Sequence, residues 1–75
     1  MKAITSRVSM TKSYGIPNLR ILRQRSGLSL GQLADLSGLR RDTITHFETG
    51  REEAQPYHVR ILARALGVPT LDLVS

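Results

Sequence analysis

Leucine, isoleucine and valine recur at intervals of three and four residues from Leu19 onward, which is the spacing of one face of an α-helix. Glycine interrupts this pattern repeatedly, and glycine tolerates the positive φ at which many helices end. The interruptions are at Gly27, Gly38, Gly50 and Gly67. The pattern therefore predicts an all-α protein built from five short helices.

Capping signals and prolines set the predicted helix boundaries. Ser29 and Gln32 have the spacing of a capping box, in which each side chain bonds to the other residue's backbone N–H, so they mark the start of the second helix. Pro56 suits the first turn of the fourth helix, and Thr70 can cap a short fifth helix. The first three helices are predicted at about residues 18–26, 30–37 and 41–49.

The stretch from residue 30 to residue 49 is typical of two helices joined by a tight turn. Ala34 is small, as is needed where two helices cross closely, and Gly38 can supply a left-handed turn. The apolar side chains that would close the wedge between the two helices are Leu33, Leu39, Ile44 and Phe47.

The composition narrows the classes of function. With 75 residues and no cysteine, the chain has room for one small domain, held together by helix packing without disulfides or thiolate metal sites. A formal net charge of +5 favours an acidic partner, either nucleic acid or an anionic membrane surface. No apolar run is long enough to span a bilayer or to act as a signal peptide, so we expect a cytoplasmic protein.

Four segments, in this order, resemble the helix-turn-helix family of phage repressors and Cro proteins, often called Xre-type regulators. They are LRQRSGLS (residues 22–29), QLADLSGL (32–39), TITHFETGR (43–51) and ILARALGV (61–68). The resemblance covers about residues 18–74. It implies a compact five-helix bundle of lambda-repressor type over residues 18–75, whose third helix enters the major groove of DNA while the second lies across the DNA backbone.

The resemblance places the base-reading positions of the family at Arg41, Asp42, Thr45 and His46. Arg41 can donate to guanine O6 and N7, Asp42 can accept from a cytosine amino group, and the Thr45 methyl can touch a thymine methyl. Each residue also has a simpler interpretation. Arg41 could bind phosphate only, Asp42 could only stabilise the helix dipole, and Thr45 and His46 could be ordinary solvated residues.

Phosphate contacts are expected from Arg40, Thr43, Arg51 and Ser29, and from the backbone N–H groups at the starts of the second and third helices. Two positions depart from the family pattern. Leu30 stands where the family usually has a polar residue that touches phosphate, and Arg40 stands where a serine or threonine commonly caps the third helix. The usual clamp of the second helix is therefore in doubt.

Arg23 and Glu48 match a family pair that forms an ion bridge between the first helix and the end of the third. The alternative is two surface charges that never meet. A bridge of this kind would hold the recognition helix in place more than it would add to stability, because partly buried pairs often only offset their desolvation.

No metal, cofactor or small-molecule ligand is expected. His46 and His58 lie on different predicted helices without any cysteine, and the nearby carboxylates have no recurring ligand spacing. The chain has neither a nucleophile elbow nor a glycine-rich phosphate loop, so it is not expected to be an enzyme.

Residues 1–17 are predicted to form a separate N-terminal arm without any acidic residue. Alternation of polar and apolar residues from Ile4 to Met10 permits a β-strand, which would have to pair with a second chain because a helical bundle offers it no partner. The other interpretation is a disordered tail whose basic side chains follow the DNA backbone or minor groove. Those side chains are Lys2, Arg7 and Lys12.

Members of the family commonly bind DNA as dimers on half-sites one helical turn apart, through surfaces in their last helices. Leu71, Leu73 and Val74 either form such a surface or belong to the core. The predicted function is a sequence-specific transcriptional regulator, a repressor, that binds a palindromic double-stranded DNA operator as a homodimer. The alternatives are a protein-binding adaptor of the antitoxin or regulator-partner type, which would more naturally expose an apolar patch on the third helix, and a basic peptide of the membrane surface.

Overall fold

The computed structural model describes residues 15–75, and this part of the chain contains five α-helices and no strand. The helices are α1 (Leu19–Arg25), α2 (Leu30–Ser37), α3 (Arg41–Thr49), α4 (Pro56–Leu66) and α5 (Thr70–Val74). Helix α2 packs against α3 and α4, while α1 contacts α3 and α5 contacts α4. The predicted all-α bundle of five helices is thereby confirmed. None of these helices is long and apolar enough to cross a membrane.

The core contains residues from all five helices. Leu33 from α2 and the pair Ile44 and Phe47 from α3 are at most 1% exposed, and Ala34 and Leu39 pack against them from partly buried positions. Complete burial of an aliphatic or aromatic side chain contributes about 1.5–3 kcal/mol, so these contacts fix the angle between α2 and α3. The other helices contribute Leu19, Leu62, Ala63 and Leu73 to the same core.

The helix ends follow the capping signals with one exception. The capping box at the start of α2 is formed, because the Gln32 N–H donates to Ser29 Oγ over 3.0 Å and the Ser29 N–H donates to Gln32 Oε1 over 2.8 Å. The expectation that Thr70 caps the last helix is wrong, since Pro69 is the capping residue and Thr70 is already helical. Proline supplies the extended backbone needed there without offering a side-chain acceptor.

The beginning of the described chain packs onto the bundle. Ile16, which the sequence pattern assigns to the arm, is a core residue only 2% exposed. The pattern missed it because an isolated apolar residue in a non-helical segment has no 3.6-residue period. The strand and the disordered tail considered for the arm fall on residues 1–14, which lie outside the described residues, as do Lys2, Arg7 and Lys12.

Candidate nucleic-acid interface

A tight turn between α2 and α3 sets the direction of α3. Helix α2 ends at Gly38, whose φ of +77° is left-handed and whose N–H donates to the Ala34 carbonyl over 2.8 Å. The next N–H, that of Leu39, donates to Ser37 Oγ over 3.1 Å. These bonds satisfy backbone groups at the end of α2, so the chain can reverse within three residues before α3 begins at Arg41.

Helix α3 has a buried face and an outward face. The side chains at positions 41, 42, 45 and 46 share one side of α3. Ile44 and Phe47 occupy the opposite, buried side. The structure therefore brings the four predicted base-reading side chains together. Arg41 and Asp42 are exposed in the first turn, and Thr45 and His46 are half-buried in the second.

Arg41 leans towards the beginning of α2. A Cβ atom placed on Gly31 would lie 3.6 Å from Arg41 Nε and 3.7 Å from both Cζ and Nη2. The guanidinium thus covers a position of α2 that carries no side chain. Asp35, one turn further along α2, lines the same open groove as Arg40, Arg41 and Asp42. Sequence reasoning missed Gly31 and Asp35, although their spacing of four residues places them on one face of α2.

His46 has an acidic neighbour that sequence reasoning also missed. Its Nδ1 lies 3.4 Å from Glu52 Oε1, and the two side chains are 43% and 46% exposed. The contact is an ion pair only when the imidazole is protonated. Thr49 also belongs to the outward face of α3, and its hydroxyl donates to the Thr45 carbonyl over 2.9 Å.

The predicted phosphate-binding residues are distributed around α3 and do not form a single cluster. Ser29 and Arg40 are exposed at the starts of α2 and α3, and Arg51 is exposed just beyond the end of α3. Arg40 makes no side-chain cap. Thr43 is half-buried on the flank of α3, away from the four predicted base readers. Leu30, where the family has a polar clamp, instead packs against the core.

Arg23 and Glu48 form a two-pronged ion pair. Arg23 Nε donates to Glu48 Oε2 over 2.7 Å and Nη2 donates to Oε1 over 3.2 Å, while Nη1 donates to the Leu28 carbonyl over 2.9 Å. The two side chains are only 11% and 6% exposed. Hydrogen bonding to Glu48, helped by its charge, raises the pKa of Arg23 above the ordinary value despite the opposing effect of burial. Arg23 therefore stays charged and joins α1, the α1–α2 loop and the end of α3.

The side chain of His58, on α4, packs against two aromatic rings. Its ring is half-buried, 4.9 Å from the Phe47 ring and 4.1 Å from the Tyr57 ring. Its Nδ1 accepts the Gln55 N–H over 2.9 Å, which requires that this nitrogen carry no proton. His58 thus connects the start of α4 to α3. Among residues 15–75, no three histidine or acidic side chains cluster closely enough to hold a metal ion.

Residues 18–74 match the family model described as a helix-turn-helix domain. The restriction-modification controller protein C.AhdI from Aeromonas hydrophila is 38% identical, with 75% of this chain and 85% of that chain covered and a TM-score of 0.73. A hypothetical transcription factor, NHTF from Neisseria, is 31% identical, with 77% of this chain and 67% of that chain covered and a TM-score of 0.74. No curated protein sequence matches the chain.

Proposed function

Because this chain belongs to the helix-turn-helix domain family, we propose that it is a sequence-specific transcriptional repressor that reads double-stranded DNA with α3 in the major groove. The observation that carries the proposal is the composition of the outward face of α3. Its four neighbouring side chains offer a guanidinium, a carboxylate, a hydroxyl with a methyl group, and an imidazole, and these are groups that distinguish base edges.

The chemistry of this face suits a mixed base sequence. Asp42 can accept from a cytosine amino group, and the Thr45 methyl can contact a thymine methyl. His46 can donate to a base or to a phosphate, and a phosphate beside it would compete with Glu52 for contact with the imidazole. Arg41 reaches either guanine or the DNA backbone, because its side chain lies at the border between α3 and α2.

Phosphate contacts at both ends of α3 would fix the register of the protein on the duplex. Arg40 lies before the helix and Arg51 lies after it, so the two cations can bind phosphates on either side of the major groove. Ser29 and the first N–H groups of α2 offer a further contact, and Thr43 lies on the flank of α3. The net charge of +5 supports this use of the surface.

A homodimer on a palindromic operator is part of the proposal. The three apolar residues near the end of the chain divide between core and surface, since Leu73 is 0% exposed whereas Leu71 is 66% and Val74 47% exposed. Leu71 and Val74 line an apolar groove with Pro56 and Val59 of α4. A second copy bound there by two-fold symmetry would present two recognition helices to a two-fold symmetric operator.

A protein-binding adaptor is the competing function. An adaptor that used α3 would need apolar side chains on its outward face. Within residues 15–75, the large hydrophobic side chains that are exposed lie on other helices: Ile21, Leu36, Tyr57, Leu71 and Val74. The polar face of α3 therefore favours DNA over protein as its partner.

Selection from a random duplex library tests the proposal directly. The full chain is expected to recover a consensus made of two inverted half-sites about one helical turn apart. Affinity for the recovered site should fall as salt rises, with a slope of about −0.9 per neutralised phosphate on a double-logarithmic plot. Recovery of no consensus, together with binding that depends on charge alone, would overturn the specific-regulator function.

A further inference from the structure

Helix α5 depends on one residue from the other end of the described chain. It has five residues, too few to be stable alone, and apart from the Leu71 carbonyl, which accepts from the Ser75 N–H, the carbonyls of its last turn have no intrahelical donor. Asn18 Nδ2 donates to the Asp72 carbonyl over 2.8 Å and to the Ser75 carbonyl over 2.7 Å. The backbone N–H of Asn18 donates to the Leu73 carbonyl over 3.1 Å. A single asparagine thus satisfies three carbonyls at the end of α5.

The residues just before Asn18 are bonded to the end of α3 and to the loop that follows it. The Ile16 N–H donates to the Phe47 carbonyl over 2.9 Å, and the Gly15 N–H donates to the Glu52 carbonyl over 3.0 Å. Gly15 has a φ of +85°, and a Cβ atom at this position would lie 2.6 Å from the Phe47 carbonyl oxygen. Only glycine fits this approach, so the segment is held closely against α3.

We infer that residues 15–18 form a clasp that fixes the position of α5 relative to α3, with Asn18 as the positioning residue. The inference rests on the dimer proposed above, in which α5 carries Leu71 and Val74 and α3 reads the bases. In such a dimer the relative position of α3 and α5 determines the distance between the two recognition helices. The clasp therefore determines which spacing of half-sites the dimer accepts.

The chemistry of an amide suits this position. Both carbonyl partners of the Asn18 side chain are acceptors, so the side chain must supply two N–H donors, and asparagine has two on Nδ2. Aspartate has nearly the same shape but offers no donor and would bring a negative charge towards carbonyl oxygens. Asn18→Asp therefore removes both side-chain hydrogen bonds of the clasp while changing the volume of the side chain very little.

The test compares the wild-type chain with Asn18→Asp and Asn18→Ala. Sedimentation equilibrium gives the dimer dissociation constant, and binding is measured on the selected operator and on versions with the half-site spacing changed by one base pair. Loss of two hydrogen bonds should weaken dimerisation about tenfold and reduce the preference for the selected spacing. Affinity for an isolated half-site should change less than about twofold, because the outward face of α3 is retained. Gln24→Ala, which removes an exposed amide from α1, is the matched control.

The outcomes separate the clasp from the function on which it rests. An unchanged dimer constant with an unchanged spacing preference would overturn the clasp, and so would a wild-type chain that binds its consensus as a monomer. A wild-type chain without any consensus would overturn the proposed function instead. If half-site binding shows that Asn18→Asp does not fold, Asn18→Ser retains one donor and should show a smaller change in the same direction.

Discussion

Arg41 occupies the first position of α3, but its guanidinium lies beside Gly31 at the start of α2. In the helix-turn-helix family α2 lies across the DNA backbone, so a cation placed over α2 is nearer to phosphate than to the floor of the major groove. The neighbouring residue of α2 is Leu30, which stands where the family usually has a polar residue that binds phosphate. Its side chain packs against the core instead. At the scale of single residues, Arg41 is well situated to supply the phosphate contact that Leu30 cannot make.

Arg41→Gln tests this role. If Arg41 binds phosphate, affinity should fall about tenfold for every DNA sequence, the salt slope should become less steep by about 0.9, and the selected consensus should stay the same. Arg20→Gln removes an equal charge from an exposed position of α1 that is not among the predicted DNA-contacting residues, and it should have a much smaller effect. If Arg41 reads a base instead, the variant should lose about 1–3 kcal/mol of discrimination between bases at one position of the consensus.

At the scale of helices, α3 is held in place from behind. Ile44 and Phe47 attach its inner face to the core, and the Arg23–Glu48 pair attaches its last turn to α1 and to the loop before α2. The ring of His58 contacts Phe47 from α4. The outward face of α3, which is proposed to read bases, carries none of these contacts. Its side chains can therefore differ between related proteins without disturbing the position of the helix.

Glu48→Ala should lower the free energy of unfolding by about 2–3 kcal/mol, because it leaves the mostly buried Arg23 guanidinium with one carbonyl partner. DNA affinity should also fall at temperatures where the variant is fully folded, since the end of α3 loses its support. Thermal unfolding and operator titration measure the two effects. The double variant Arg23→Ala/Glu48→Ala should recover part of the lost stability, because it removes the unpaired charge. Operator binding equal to wild type would show that the pair is not needed to position α3.

At the scale of the whole molecule, polar and apolar surfaces are separated. The cations Arg40, Arg41 and Arg51 lie around α3, whereas Leu71 and Val74 form an exposed apolar surface with α4. Two copies joined by the apolar surface would leave both cationic surfaces free for one duplex. A dimer would read two half-sites, whereas one small domain reads only one. Loss of dimerisation should therefore also lower the specificity for the operator.

Leu71→Glu should convert the proposed dimer into a monomer without unfolding the chain, because the side chain is 66% exposed in the single chain. Sedimentation should show a monomer at concentrations where the wild type is dimeric, and affinity for the full operator should approach that for a half-site. Leu36→Glu is the matched control, since Leu36 is 61% exposed on α2 and lies outside the proposed dimer surface. Equal effects of the two substitutions would contradict a dimer through α5.

Much of this protein was determined by local signals in the sequence. The 3.6-residue period, the Ser29–Gln32 capping box and the helix-ending glycines predicted five helices, because each signal acts within a few residues of the structure that it specifies. The motif between residues 30 and 49 likewise predicted the turn at Gly38 and the buried Ile44. These features require no knowledge of distant parts of the chain.

Tertiary structure alone decided the contacts between residues far apart in sequence. Ile16 enters the core, Asn18 bonds to the end of α5, and the Arg41 guanidinium lies over Gly31, although no periodic pattern links the members of these pairs. Tertiary structure also buried Leu73 and left Leu71 exposed, although the two residues are equally apolar, because they point to opposite sides of a short helix. Hydrophobicity in sequence states which residues can be buried, whereas the packing of neighbouring helices determines which of them are.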